Sequence, residues 1–285
     1  MAPMSNRLLV PRKTPGLLDL VPGAAAAYSL RSLSRSYAGP VVTVRRSSDD
    51  AEDSFTASEV SDGTLAAFAG AGDGFVKTWH SQTGSNDATQ TTAGYQPKIV
   101  SSGVVVTEEG KPAIQFDGSD DGMAYSGTGI QANNYSVFAV FTNSDSGTSP
   151  LMIFQLSDGG TDFTMSMTVN DGVSGVVDSG AWYPTAFDTL FAKRVSGVTT
   201  GTQVQTAAFT GISGGGDFYL NSVSGVTAAV GRRTASQDGV SIGFQNIATP
   251  TRWFDGFIQE LIIYPSDLAA QRELVEGLIA WGYSV

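Results

Sequence analysis

The chain has 285 residues, 41% of them hydrophobic and only 15% charged, with a net charge of −11, so it can build a large core but is a poor partner for nucleic acid, whose phosphates it would repel. It contains no cysteine and a single histidine, which excludes a disulfide framework, a thiolate metal centre and a zinc-ligand pattern. No apolar run reaches the roughly 18 residues of a membrane-spanning helix, and Ala24–Ala27 is too short for the core of an export signal; the expectation is a soluble protein with no membrane partner.

Residues 1–23 hold Pro3, Pro11, Pro15 and Pro22, which forbid a long helix and favour extended segments. Residues 1–46 carry seven basic side chains against Asp19 alone, on an otherwise acidic chain. Apolar and basic residues alternate along the start of the chain, at Arg7, Leu8, Leu9, Val10, Arg12, Lys13, Leu17 and Leu18. This composition predicts an assembly arm over residues 1–23 that packs on a neighbouring chain, ahead of one domain over 24–285.

Alanine richness with Tyr28, Leu30 and Leu33 predicts a short helix over 24–37, ended by Gly39-Pro40. A strand follows over 41–46, then a polar loop over 47–55 in which Arg45 or Arg46 pairs with Asp49 or Asp53. One or two helical turns are predicted over 64–72. From Phe75 onward, short apolar stretches alternate with Gly-, Ser-, Asn- and Asp-rich separators, the signature of a β-sandwich or jelly roll; 34 of the residues are glycine. The stretch Tyr135–Phe141 presents Tyr135, Val137, Ala139 and Phe141 on one face and Phe138 and Val140 on the other, as a central strand would. The last element is a helix opened by Ser266 and Asp267, with Leu268, Val275, Leu278 and Ile279 on one side.

Four features offer chemistry. His80, in TWHSQTG, would need a nucleophile and an orienting acid to act as a base; Ser81 is adjacent and points elsewhere, so the stretch reads as a fold-forming loop anchored by Trp79. Asp117, Asp120 and Asp121, in FDGSDDG, supply three oxygens for a calcium ion or simply form a turn; no other cofactor is expected. Tyr95, Trp182 and Tyr183 lie near or in loops, where aromatic rings either stack on sugars or fill subunit interfaces. Glu260 alternates with Ile258 and Ile262 and either projects from the sheet or pairs with an arginine.

Two blocks carry a resemblance. Residues 27–100, from AYSLRSL to GYQPKIV, resemble the opening of the catalytic domain of α-L-arabinofuranosidase B-type glycosidases, and more closely a block found in structural proteins of tailed bacteriophages. IQFDGSDDGM, FYLNSVSGV and RWFDGFIQELIIY with the following helix resemble concanavalin A-like, laminin-G-type domains. The resemblance implies an all-β concanavalin A-like jelly-roll β-sandwich with a short N-terminal and a C-terminal helix. It also implies a non-enzymatic virion protein assembled in the bacterial cytoplasm, as capsid decoration, head fibre or tail appendage. Its partners would be other virion proteins, further copies of itself, and host surface glycan. The alternatives are a carbohydrate-binding adhesin and an arabinofuranosidase-like hydrolase. Where such relatives read Trp-Tyr-Asp-Gln-Ser-Gly, this chain has Trp79, His80, Ser81, Gln82, Thr83 and Gly84; a carboxylate is missing, and no catalytic residue is carried over.

Overall fold

The computed structural model describes residues 14–127, 135–145, 147, 149, 151–157, 163–169, 176–180, 193–196, 203–209, 216–220, 223–224, 239–246 and 249–283. The fold is all-β: one large antiparallel sheet curls on itself and is flanked by a few short helices. One arm of the sheet runs, in hydrogen-bonded order, through Glu52–Phe55, Val42–Arg46, Gly74–Trp79, Ala88–Thr89, Met123–Ser126, Gly239–Ile242, Leu151–Ser157 and Phe163–Val169. The other runs through Lys98–Ser101, Ile114–Asp117, Asp255–Tyr264, Tyr135–Asn143 and Gln203–Phe209. The two arms are joined where Gly74–Trp79 pairs with Lys98–Ser101.

The curl encloses one apolar cluster and leaves a second outside it. Tyr135, Val137, Ala139 and Phe141 point into the first, with Trp79, Tyr28, Phe116 and Phe254. Phe138 and Val140 point into the second, where Leu17, Leu33, Tyr264, Val275 and Ile279 cover the sheet's outer face. The central strand thus buries both faces as its alternation predicts, each large side chain contributing about 1.5–3 kcal/mol of burial. Among the described residues no helix is long and apolar enough to cross a membrane.

Several elements differ from the sequence expectations. The alanine-rich segment is a strand, Ala26–Ser29, fully buried and paired with the second half of Asp255–Tyr264. Helix propensity is a local preference of a few tenths of a kcal/mol per residue, and a complete ladder against a central strand outweighs it. Half of the polar loop is an edge strand, Glu52–Phe55. A helix over Ala57–Ser61 goes unanticipated although Thr56 and Glu59 form a capping box, with Thr56 N donating to Glu59 Oε2 at 2.8 Å. The C-terminal helix spans Arg272–Tyr283, starting later than Ser266; a 3-10 turn, Ala269–Gln271, precedes it, and Asp267 accepts from Ala269 N at 2.9 Å.

Of the predicted arm, Leu17 starts the helical turn Leu17–Leu20, is 2% exposed and belongs to the second cluster of this same domain, with Leu18 packed beside it. These two residues serve the chain's own core. Arg7, Leu8, Leu9, Val10, Arg12 and Lys13 lie outside the described residues.

Candidate functional site

Strand register builds the floor of a cleft. Arg45 lies opposite Phe75, Phe75 opposite Lys98, and Lys98 opposite Gln115, so four adjacent strands line up four outward-facing side chains over about 14 Å. Arg45 Cζ and Lys98 Nζ sit 5.0 and 5.7 Å from the centre of the Phe75 ring. The 3-10 turn Ala93–Tyr95 forms one wall and the turn after Ile114–Asp117 forms the other. The resulting cleft has a volume of about 490 Å³ and is lined also by Gly94, Gln96, Asp117 and Asp121. That volume falls within the roughly 300–1,000 Å³ of small-ligand sites.

Glutamines brace the walls. Gln96 accepts from Arg45 Nε at 2.8 Å and donates to the Gln90 carbonyl at 2.9 Å. Gln90 donates to the Gly122 carbonyl at 2.8 Å, and Gly122 N donates to the Tyr95 carbonyl at 3.1 Å. Tyr95, expected as a sugar-stacking ring, ends the 3-10 turn of the first wall and is 44% exposed. Trp182 and Tyr183 lie outside the described residues.

The second wall holds the three aspartates singled out in the sequence, whose nearest oxygens lie within 4.8 Å of one another. Asp117 Oδ1 accepts from Ser119 N at 2.9 Å and Asp120 N at 3.3 Å, and Asp121 Oδ2 accepts from Asp117 N at 3.1 Å. Gly118, at φ +75°, makes the bend possible. Asp121 is buried, and its carboxyl is pushed up to about 7, first by loss of solvent and then by the charge of Asp117. One oxygen from each aspartate could hold a hard divalent cation, with water completing the six to eight ligands calcium takes. The backbone donors already compensate Asp117 and Asp121, so the turn closes without an ion.

His80 has the neighbours that the sequence does not reveal. Its Nδ1 lies 2.7 Å from Asp87 Oδ2, and its Nε2 lies 2.8 Å from Thr43 Oγ1. Thr43 is brought there by pairing with Thr78, two residues before His80, and also meets Ser54 Oγ at 2.8 Å. Asp87 accepts from Ser81 N as well, at 2.9 Å. Ser81 does point elsewhere, accepting from Ala27 N at 3.0 Å. Glu260 pairs with Arg31 inside the fold. Arg45 pairs with Asp50 and Arg46 with Asp49, pinning the loop between Val42–Arg46 and the edge strand Glu52–Phe55.

No protein-family model and no curated protein matches the chain. Among solved structures, a mutant of a GH54 α-L-arabinofuranosidase soaked with 4-nitrophenyl α-L-arabinofuranoside is similar at 15% identity and a TM-score of 0.64, covering 90% of this chain and 62% of that one. Domain 4 of AbnA, a GH43 extracellular arabinanase from Geobacillus stearothermophilus in complex with arabinotriose, is similar at 21% identity and a TM-score of 0.42, covering 59% of this chain and 76% of that one. A Trypanosoma rangeli sialidase in complex with the inhibitor DANA gives 12% identity and a TM-score of 0.48, covering 70% of this chain and 30% of the enzyme. The chain thus spans about 62% of the arabinofuranosidase's length, and at this identity the likeness establishes the fold. It also corrects the expectation that the chain is not an enzyme. Over 90% of its length the chain follows the fold of a glycosidase, and a carboxylate missing beside His80 does not exclude catalysis by others. None of the three structures is a virion protein by its description.

Proposed function

We propose that the chain is a carbohydrate-binding β-sandwich that takes glycan in the cleft over Phe75. The supporting observation is the register row Arg45, Phe75, Lys98 and Gln115, which sets one aromatic ring among hydrogen-bonding side chains on the cleft floor. A sugar offers hydroxyls to the polar atoms of the cleft and C–H groups to the part of the Phe75 ring that Arg45 and Lys98 leave uncovered. The glycosidase-like fold is a second, weaker support. If the resemblance to tailed-phage proteins also sets its location, the module would display this cleft on a particle and hold host surface glycan.

A second reading is glycoside hydrolysis in the same cleft. Asp121, pushed up to about 7, would carry a proton into the neutral range and could serve as the acid, with another carboxyl of the same cluster beside it.

Gly94 provides the test. A Cβ there meets nothing within 4 Å and Gly94 lines the cleft, so Gly94→Phe should obstruct the cleft at little cost to the fold. Glycan-array binding should be lost in Gly94→Phe at an unchanged melting temperature; binding that survives places the site elsewhere. Turnover of aryl glycosides that disappears in Asp121→Asn would favour the second reading.

A further inference from the structure

Among the charged groups lining the cleft, the cations are paired within the protein and the aspartates are not. Arg45 uses its guanidinium inside the protein, donating from Nε to Gln96, from Nη1 to Asp50 and from Nη2 to the Ala93 carbonyl. Lys98 Nζ lies 2.9 Å from Asp73 Oδ2. The two cations of the floor are therefore matched one for one by Asp50 and Asp73. No cation matches Asp117, Asp120 or Asp121 at ion-pair distance among the described residues. Asp117 Oδ2 and Asp121 Oδ1 have no hydrogen-bond partner among the described residues, their other oxygens being taken by backbone N–H groups.

We propose that the cleft selects neutral glycans, whose hydroxyls donate to Asp117 and exchange hydrogen bonds with Asp121 beside Phe75, and rejects glycans bearing carboxylate or sulfate. The proposal rests on the cleft being the glycan site. A carboxylate only accepts, so it suits a hydroxyl donor, and an O–H···O⁻ bond is about twice as strong as its neutral counterpart. An anionic sugar would bring a like charge to within about 5 Å of an unmatched aspartate, a repulsion large enough at a protein surface to weaken binding about tenfold or more. The overall charge of −11 acts in the same direction at longer range.

The experiment is calorimetric titration of the full chain, in chelator, with neutral oligosaccharides and with their uronate or sulfated counterparts. Neutral galacto- and arabino-oligosaccharides and the matching oligogalacturonides make a suitable panel. The expected result is binding of neutral members with at least tenfold weaker binding of charged ones, a gap that narrows with added salt and in an Asp117→Asn, Asp121→Asn double variant. Charged glycans that bind as well as neutral ones, with binding still lost in Gly94→Phe, overturn the selectivity and leave the glycan site standing. Binding of neither kind, or binding that Gly94→Phe does not affect, overturns both. Repeating the titration with calcium adds one more outcome. If calcium is required for neutral glycans to bind, the aspartates act through a cation and the direct hydroxyl contacts proposed here are wrong.

Discussion

Arg31 and Glu260, 229 residues apart, form a two-pronged ion pair: Nε to Oε2 at 2.9 Å and Nη2 to Oε1 at 3.0 Å. Ser29 and Tyr283 hydroxyls donate to the same carboxylate at 2.8 and 3.1 Å, and burial pushes the Tyr283 phenol well above its usual range, which keeps it a donor. The carboxylate is fully buried, so it joins the Ala26–Ser29 strand, the Asp255–Tyr264 strand and the C-terminal helix from within. Removing one partner of such a pair strands the other, at about 3–5 kcal/mol. Glu260→Ala should therefore lower the unfolding free energy measured in urea by that amount while leaving glycan affinity unchanged in the folded fraction. A loss of affinity at unchanged stability would return Glu260 to the functional site.

The second prediction concerns Asp87. Burial pushes its carboxyl up, but the hydrogen bonds from His80 and Ser81 N outweigh this and hold it below the ordinary value of 3.8. A carboxyl with a depressed folded value stabilises above the unfolded value, and that contribution is lost as pH falls through the folded one. Asp87→Asn should cost about 1–2 kcal/mol near neutrality, and the gap from the parent chain should close as pH drops below about 4. Denaturation of both proteins at pH 3.5, 5 and 7 checks this. A gap that stays constant with pH would mean the residue acts by shape alone.

What could be read from the sequence was what short-range periodicity encodes. Tyr135–Phe141 announced both of its buried faces, because an apolar residue at nearly every position of a strand has only one placement, between two cores. FDGSDDG announced its turn and its clustered carboxylates, since both lie within a few residues. Ala26–Ser29 misled because its conformation is decided by a partner strand more than 230 residues away. The cleft floor was hidden for the same reason: Arg45, Phe75, Lys98 and Gln115 become neighbours only through the register of four strands. Nor could spacing show that Thr43 and Asp87 converge on His80 from two directions.

Phe254-Asp255-Gly256 belongs to the legible part, and its glycine has a physical reason. Gly256 sits at φ +149°, and a Cβ there would fall 2.1 Å from the Thr142 carbonyl oxygen of the adjoining strand. Backbone cannot give way to that contact, so Gly256→Ala should abolish soluble folded protein or lower the melting temperature by well over 10 °C. Gly63, at φ +96° with open space around it, is the matched control. Gly63→Ala carries only the conformational cost of about 1 kcal/mol and should shift melting by a few degrees. Equal effects of the two would show that positive φ alone, and not the close approach of Thr142, sets the requirement.

The last prediction uses the titration of Asp121. Its carboxyl, buried beside Asp117 and Asp120, is pushed up to about 7 in the folded chain from an ordinary value of 3.8, while Lys98 only partly offsets the shift. Between those two values the folded chain holds a proton that the unfolded chain has released. Stability must therefore fall as pH rises through this window, by up to about 1.4 kcal/mol per pH unit, and level off above about 7. Asp121→Asn mimics the protonated acid at every pH. It should flatten this slope and make the variant more stable than the parent at pH 8, with little difference at pH 4. Guanidinium denaturation of both chains at pH 4, 6 and 8 reads this directly. Parallel curves would show that Asp121 is ionised throughout, and its role as the acid of the second reading would fall with them.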